Sequence, residues 1–411
     1  MEEEELLGII AQMPRETDHW DFKREWYKQD DKGSMLADII NFVNTAHHDD
    51  CYIIIGVDEE TQKIVGVEDN EYTLNRQQLQ DYLRKIPFAQ NWYPETDVER
   101  FNVEGHKVDV ITIFNSDNIP IFLTREVKRK GTPLKPGIIY ARSSDSNAPS
   151  DRSVSDEQME RLWKKRFRLD VSVYDRYQYL LKHPNEWTKI ISNAGRENFI
   201  YTKDPNFVIK SGELREDKNL HYESFAMSEF NIRIYRFQIE LYYGQTVIRD
   251  DFDVPLDDGS YEIVVPMVGY IYLGGEHEPR SYTYYLKDDF PYLLTQFINS
   301  FNGKPHWRAN WEKVEEDVVI FQNESEHKYY EELFKKMYVD ENRDKLSPSK
   351  SELEVVKSKI KASGWRKIDG DLDRLASQLM KEHKVVQAIK KLQEEKRMIA
   401  EDRTASLDFS N

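Results

Sequence analysis

The spacing of apolar residues predicts a succession of short helices and strands over roughly the first 165 residues of the chain. Helical spacing predicts helices over residues 6–13, 34–46, 74–86 and 151–165, with Ser34 as the N-cap of the second. Alternating or continuous apolar runs predict strands over residues 19–23, 51–57, 64–67, 98–103, 108–114, 119–123 and 137–142. This mixture predicts an α+β domain with a hairpin around Glu104 and Gly105.

The run from His19 to Lys23 alternates between apolar and polar side chains. Successive side chains of a strand point to opposite faces, so Trp20 and Phe22 are predicted to face the core. Asp21 and Lys23 then share the other face. A carboxylate and an ammonium group on one strand face make this segment a candidate for chemistry.

The composition changes at about residue 167, and it changes again at about residue 346. Residues 167–345 are rich in Tyr, Phe and Trp and alternate in places, which predicts a second α+β domain. Residues 346–411 are rich in Lys and Glu and predict a helical C-terminal region. One apolar stripe of this region suits a dimer or another protein partner, and it consists of Leu372, Leu375, Leu379 and Met380. The predicted domains are therefore 1–166, 167–345 and 346–411.

The charge and composition of the chain argue against several classes of protein. A net charge of −17 argues against a surface that coats nucleic acid throughout, because Lys and Arg supply the affinity for phosphate. No apolar run approaches the roughly 18 residues of a membrane span, and the acidic start lacks the features of a secretory signal. The single cysteine, Cys51, excludes an internal disulfide and a cysteine-based zinc cluster within one chain. We therefore expect a cytoplasmic protein with no membrane partner.

A local basic surface is compatible with this overall charge. The loop between residues 123 and 137 is the best candidate for phosphate binding, and its basic residues are Arg125, Lys128, Arg129, Lys130 and Lys135. Arg142 with Ser143 and Ser144 follows a predicted strand and precedes a helix, so it is a second candidate for holding a backbone phosphate. The alternative interpretations are a solvated loop and ordinary turn and cap chemistry.

Several short motifs follow one another in this region. Glu16 precedes Asp21-Phe22-Lys23 by five residues, and a predicted helix then ends in the segment 41–46, Asn-Phe-Val-Asn-Thr-Ala. A strand runs into Gly56-Val57-Asp58 and returns through residues 64–67. The last motif consists of Gly137, Tyr140, Arg142, Ser143, Ser144 and Ala148. In this order and spacing, the motifs resemble the Schlafen-type AlbA family.

The resemblance implies a mixed-sheet domain that handles nucleic acid, with Glu16, Asp21, Lys23 and Asp58 as catalytic residues. The three carboxylates would hold Mg²⁺ or Mn²⁺ through oxygen, and Lys23 would neutralise charge on a phosphate. The metal would activate water for cleavage of a phosphodiester. Nuclease members of the family imply structured RNA, transfer RNA included, as the substrate. The strand carrying Asp21 and the strand ending at Asp58 should then be neighbours in one sheet.

The sequence departs from the family's pattern at two places. Residues 47–50, His-His-Asp-Asp, stand where paired glycines are usual, which affects the conformation of this loop. Asp21 stands where Glu is usual, which shortens this metal ligand by one methylene group. His47 and His48 follow a predicted helix C-terminus, where a cation is favourable, and metal binding is their less favoured interpretation.

A second hypothesis makes the protein a binding module without catalysis. It would be a DNA-binding regulator, or an effector subunit of a larger assembly such as a defence system. The carboxylates would then serve as caps, as turn formers and as salt-bridge partners of Lys23 and Arg142. Cleavage of RNA in the presence of Mg²⁺ or Mn²⁺, and its loss in Asp21→Ala, would separate the two hypotheses.

Overall fold

The computed structural model divides the chain into two compact units, Met1–Ser172 and Val173–Asn411. It describes residues 3–12, 17–58, 60–61, 63–68, 70–89, 92–143, 146–147, 152–192, 195–214, 236–256, 261–273, 279–301, 307–338, 345–362 and 372–408. Both units combine helices with sheets, as the α+β prediction requires. Among the described helices, none combines the length and the apolar character that crossing a membrane needs.

The N-terminal unit is a mixed α+β domain. Its described helices are α1 (Glu3–Ile10), α2 (Lys32–Val43), α3 (Arg76–Leu83) and α4 (Asp156–Arg166). Its described strands are β1 (Trp20–Lys23), β2 (Cys51–Ile55), β3 (Val57–Asp58), β4 (Lys63–Ile64), β5 (Thr96–Val103), β6 (His106–Ile113), β7 (Arg142–Ser143) and β8 (Ser146–Asn147). Strands β1, β2, β6 and β5 form one sheet in this order, in which β1 and β2 are parallel and the other pairs are antiparallel.

Both faces of this sheet are covered. Phe22 and its partner Ile54 pack in a cluster with apolar residues of α1. Ile53 packs on the opposite side, in a cluster with the buried residues of α2. Asp21 is the register partner of Ile53 and therefore faces α2, where it is only 3% exposed. The predicted alternation along β1 is confirmed, and on its polar face Asp21 is buried whereas Lys23 is partly exposed.

Helix α2 begins earlier than the sequence predicts. Its N-cap is Asp31, and Ser34, the predicted cap, lies inside the first turn. The Ser34 hydroxyl donates a hydrogen bond of 2.6 Å to the Asp31 carboxylate. A short 3₁₀ helix over Gln29–Asp31 leads directly into α2, so the helical backbone starts before the first apolar residue.

The strands predicted over residues 119–123 and 137–142 do not form as such. One isolated bridge joins Phe88 to Leu123, and Arg142 begins the two-residue strand β7. The side chain of Asn44 replaces some of the backbone hydrogen bonds that strand pairing would supply here. Its side-chain amide donates to the carbonyl oxygens of Ile121 and Tyr140 at 2.9 and 2.8 Å, and its oxygen accepts from the Ile121 amide at 2.7 Å. One buried side chain thus satisfies backbone groups that a neighbouring strand would otherwise satisfy.

The hairpin of β5 and β6 is confirmed. Its two turn residues, Glu104 and Gly105, have φ angles of 52° and 85°. Positive φ at both central positions is typical of the tight turns that match the twist of antiparallel strands. Asp109 lies on β6 and Arg100 on β5, and these two residues are register partners.

In its described residues, the C-terminal unit contains two sheets and six α-helices. Its described helices are α5 (Val173–Leu181), α6 (Phe290–Phe301), α7 (Trp307–Asp317), α8 (Glu324–Met337), α9 (Lys350–Ala362) and α10 (Leu372–Asp408). Its described strands are β9 (Trp187–Ile191), β10 (Glu197–Tyr201), β11 (Phe207–Leu214), β12 (Phe237–Tyr243), β13 (Thr246–Leu256), β14 (Tyr261–Val264), β15 (Met267–Ile271), β16 (Arg280–Leu286) and β17 (Val319–Phe321). Strands β14, β13, β12, β11, β10 and β9 form an antiparallel sheet in this order. Strands β15, β16 and β17 form a mixed sheet, in which β15 and β16 are antiparallel and β16 and β17 are parallel.

The C-terminal helices pack into the cores of this unit. Leu379 and Met380 of α10 are buried in a cluster with Val254 and Leu256 of β13, and Leu372 and Leu375 pack against it. The apolar stripe that suited a partner contact is therefore used within the unit. A homo-oligomer or a protein partner through the C-terminal helices stays a prediction.

Candidate nucleic-acid interface and carboxylate cluster

Asp21 is the centre of a cluster of charged side chains under α2. The Lys23 ammonium contacts one of its carboxylate oxygens, Oδ2. Arg142 donates from Nη1 to the other oxygen, Oδ1, at 3.2 Å. The Arg142 guanidinium is itself buried and lies 4.9 Å from the centre of the Phe42 ring. Asp21 therefore has a cation at each carboxylate oxygen.

Asp38 is a second carboxylate of this cluster, and the sequence analysis missed it. Its Oδ2 atom lies 3.9 Å from the Lys23 ammonium, so Lys23 lies between Asp38 and Asp21. The Tyr27 hydroxyl donates to the same oxygen at 2.6 Å. Burial, with Asp38 as the second cause, holds the pKa of Tyr27 well above its usual value. The sequence does contain a signal for Asp38, because it is the acidic residue within the otherwise apolar segment 35–40 of α2.

Asp109 forms a neighbouring pair on the same face of the sheet. Lys23, Ile55, Asp109 and Arg100 are successive register partners across the four strands. Arg100 donates to both carboxylate oxygens of Asp109, at 2.6 and 2.8 Å, and the Trp26 indole donates at 2.7 Å. Like Asp21, the Asp109 carboxylate is buried and has a cationic partner, an arrangement that sequence periodicity did not reveal.

Asp58 lies beyond the end of β2. The amide of Gly56 donates to the Lys23 carbonyl oxygen at 2.8 Å, and Gly56 then turns the chain with a φ angle of 104°. Asp58 follows in β3, which pairs with β4, whereas β1 pairs with β2. The strand that leads to Asp58 is β2, and it is a neighbour of β1 as predicted. Asp58 itself lies past the turn, in β3.

The Asp58 carboxylate has its own partners. Its Oδ1 atom accepts from the amides of Glu60 and Thr61 at 3.1 and 3.2 Å, and Arg24 donates to Oδ2 at 2.6 Å. The Thr61 hydrogen bonds and the Arg24 charge hold the pKa of Asp58 below its usual value. Glu16 lies outside the described residues. The metal site of three carboxylates therefore stays a prediction.

The basic loop is a short hairpin on the surface of the unit. Val127 and Leu134 exchange two backbone hydrogen bonds of 3.0 and 2.9 Å, which leaves residues 128–133 as its tip. Four of the five predicted cations are exposed and Arg129 is half-buried; the exposed ones are Arg125, Lys128, Lys130 and Lys135. This arrangement leaves the positive charge available to a ligand in solvent.

The tip of this loop is held against the start of α2. The Lys130 amide donates to the Asp31 carboxylate at 3.1 Å. The Lys128 carbonyl oxygen approaches Gly33 so closely that a Cβ atom there would lie only 2.1 Å from it. A side chain at position 33 would therefore displace the loop, and glycine permits the contact.

The second phosphate-binding candidate consists of Arg142, Ser143 and Ser144, and the structure describes the first two of them. Arg142 begins β7 and points into the buried cluster at Asp21, which leaves little of its guanidinium exposed. Ser143 ends β7, and Ser144 lies outside the described residues. A phosphate contact by these three residues stays a prediction.

Comparison with known proteins gives one family and one solved structure. Residues 16–151 match the model of the family described as "Schlafen, AlbA_2". The solved structure of the DIP2311 protein from Corynebacterium diphtheriae is 19% identical, with a TM-score of 0.26 over 39% of this chain and 32% of that chain. No curated protein matches the chain. The match to residues 16–151, together with the mixed sheet described above, identifies the N-terminal region as a domain of the Schlafen, AlbA_2 family.

Proposed function

We propose that the N-terminal unit binds nucleic acid and that the basic loop contacts its phosphate groups. The observation that carries this proposal is the concentration of positive charge. Residues 124–137 hold five cations and one acidic residue, Glu126, in a chain whose net charge is −17. Exposed Lys and Arg side chains on an anchored loop suit a row of phosphates, because each contact releases a condensed counterion from the nucleic acid.

The family supports the same assignment at a coarser level. Residues 16–151 belong to a family linked to nucleic-acid-related function. Within this frame we propose structured RNA, such as transfer RNA, as the ligand, and duplex DNA is the alternative that the experiment below separates. Phosphate contacts by the basic loop would set affinity and orientation without reading bases.

Metal-dependent cleavage of the bound RNA is a second candidate function. The observation that favours it is the Lys23 ammonium, which lies between the carboxylates of Asp21 and Asp38. Mg²⁺ and Mn²⁺ prefer oxygen ligands. The carboxylates of Asp21 and Asp38 would supply such ligands and hold the ion. Such an ion would polarise a phosphate oxygen and acidify a bound water. The carboxylates of Asp21 and Asp58 both have cationic partners, Lys23 with Arg142 and Arg24 respectively, which a bound ion would have to displace.

Binding is tested by measuring affinity against salt concentration for a labelled transfer RNA, a single-stranded RNA and a DNA duplex. The triple variant Lys128→Ala, Arg129→Ala, Lys130→Ala should weaken binding to all sequences of the preferred nucleic acid. It should also lower the slope of log K against log salt by about 2 to 3 units, since each lost contact contributes roughly 0.7 to 0.9.

A charge-matched variant is the control. Lys63, Lys85 and Lys107 are exposed residues of the same unit outside the basic loop, and their triple Ala variant removes the same three charges. Both variants should fold, because surface substitutions usually change stability by less than about 0.5 kcal/mol. Equal loss of affinity in the two variants, or no loss in the loop variant, would refute the proposed interface.

Cleavage is tested on the same RNA with Mg²⁺ or Mn²⁺ added to the chelator-treated protein. If the second candidate is right, Asp21→Asn should abolish cleavage and retain RNA affinity, because the charge that a divalent ion needs is gone. Asp81→Asn, at an exposed carboxylate of α3, is the control for the loss of one negative charge. Intact RNA under all conditions would leave binding as the function of the unit.

A further inference from the structure

Two histidines and an aspartate meet at the end of the sheet where β1 and β2 begin. Asp18 and His19 lie in the segment that leads into β1, and His47 lies in the loop between α2 and β2. The rings of His19 and His47 are stacked, with centres 3.8 Å apart and planes within 7° of each other. The Asp18 Oδ1 atom lies 2.9 Å from His19 Nδ1. The stacking brings together two segments that are almost 30 residues apart along the chain.

We infer that Asp18, His19 and His47 form a binding site for one divalent transition-metal ion of the zinc type. Each of the three side chains offers a ligand atom that lies within 4.8 Å of the other two. Among the residues that the structure describes, this is the group of at least three potential ligands whose donor atoms lie this close together. Two imidazoles with one carboxylate are a ligand set that suits Zn²⁺, with solvent completing the coordination.

Metal binding requires the stacked rings to tilt apart, because the in-plane lone pairs of two parallel imidazoles do not converge on one ion. Zinc bonds of about 2.0 to 2.2 Å in tetrahedral geometry place ligand atoms roughly 3.4 Å apart. Because the three ligand atoms lie within 4.8 Å of one another, rotation of side chains would close the site. The side chains of His19 and Asp18 are 33% and 47% exposed, so an ion can reach them from solvent.

The surroundings are suited to hold the ligands in place. Asp49 has a carboxylate oxygen 3.4 Å from His19 Nε2, the ring nitrogen that faces away from Asp18. A carboxylate in this position orients a metal-bound histidine and raises its basicity. The Lys165 ammonium donates to the carbonyl oxygens of Thr45 and His47 at 3.0 and 2.5 Å, which holds the backbone of the histidine loop.

Cys51 lies close to the site but is not one of the proposed ligands. Its sulfur is 3.7 Å from His47 Nε2. The thiol is buried and lies within 3.6 Å of the carbonyl oxygens of Phe42 and Asp18, which accept its hydrogen bond. The proposed donors are therefore nitrogen and oxygen atoms only, and this choice is open to a spectroscopic test.

Bound metal would connect the segment before β1 to the loop before β2. These two strands are the parallel pair at the edge of the sheet, so the connection would stabilise the start of both. None of the three ligands belongs to the basic loop or to the Asp21 cluster. Loss of the metal should therefore leave the proposed phosphate contacts in place.

The test titrates ZnCl₂ and CoCl₂ into the chelator-treated, tag-free full chain and follows binding by calorimetry and Co²⁺ absorption. We expect saturation at one ion per chain, a rise in Tm with Zn²⁺, and Co²⁺ bands without the near-ultraviolet absorption of a thiolate ligand. His19→Ala and His47→Ala should each lose at least tenfold in affinity. Asp18→Asn should do the same with less disturbance of the ring stack.

His48→Ala is the matched control, because His48 neighbours His47 in sequence but pairs with Asp170 at 2.8 Å. It should bind metal like the wild-type protein. Variants are compared only where metal-free Tm and circular dichroism show a folded protein, and Asp18→Asn serves if a histidine variant does not fold. The site as proposed would be overturned if the wild-type chain bound no metal, or if His48→Ala lowered the affinity as much as His47→Ala. A thiolate band that disappears in Cys51→Ser would also overturn it.

Discussion

Arg142 donates a hydrogen bond of 3.2 Å to Asp21, and the two residues are 121 positions apart in the chain. Both side chains are almost completely buried, with exposed fractions of 3% and 4%. The first and last motifs of the Schlafen, AlbA_2 region therefore meet at one ion pair under α2. A buried ion pair of this kind constrains what can be removed, because the loss of one charge leaves the other buried with less compensation.

Asp21→Asn is expected to lower the stability of the N-terminal unit by about 3 kcal/mol. The substitution removes a negative charge beside the buried Arg142 guanidinium, and breaking such a pair from one side is strongly destabilising. Thermal unfolding of wild type, Asp21→Asn and the double variant Asp21→Asn, Arg142→Met would measure this. The double variant should recover part of the loss. Unchanged melting of Asp21→Asn would mean that the ion pair contributes little to stability.

Gly33→Ala is expected to destabilise the protein and to weaken nucleic-acid binding together. The new Cβ atom would lie 2.1 Å from the Lys128 carbonyl oxygen, so the basic loop must move, and overpacking of this kind typically costs about 1 to 3 kcal/mol. Gly8→Ala is the control, because it is also helical and a Cβ there meets nothing within 4 Å. That variant should be neutral or slightly more stable. Affinity for RNA that survives Gly33→Ala unchanged would contradict the role given to the anchored loop.

Lys165 is expected to make stability rise with pH above neutrality. Burial lowers the pKa of Lys165 to about 8, whereas an unfolded lysine has a pKa of about 10.4. Between these values the unfolded chain binds the additional proton, so the free energy of unfolding increases with pH in this window. The difference in Tm between wild type and Lys165→Met should therefore shift in favour of wild type from pH 8 to pH 10. Lys164→Met, at an exposed site of the same helix, controls for the loss of one positive charge.

Asp253, in the C-terminal unit, is expected to make stability fall as the pH rises. Burial, reinforced by Glu262, raises the pKa of the Asp253 carboxyl to about 8. An unfolded aspartate has a pKa of about 3.9, so between these values the folded state holds a proton that the unfolded state has lost. Stability from this group is therefore present at low pH and is lost as the pH rises towards 8. Asp253→Asn should gain Tm relative to wild type between pH 5 and pH 8, and Asp250→Asn, at an exposed site of β13, is the control. A constant difference across this range would contradict the assignment.

Local pattern was sufficient for the elements that depend on neighbours in sequence. The alternation of residues 19–23 predicts β1, and the β5–β6 hairpin follows from two apolar runs around Glu104 and Gly105. The order of short motifs also predicts the family of residues 16–151. These features are determined by side-chain periodicity and turn chemistry, which act over a few residues.

The partners of the charged residues were decided by the tertiary structure. The sequence placed Asp21 and Lys23 on one strand face, but it did not show that α2 covers this face and brings Asp38 beside them. It did not show that Asn44 satisfies two segments predicted as strands, or that His19 stacks on His47. Each of these contacts joins segments that are distant along the chain. Which of them meet depends on the order and direction of strands in the sheet, and periodicity within a single segment carries no information about that order.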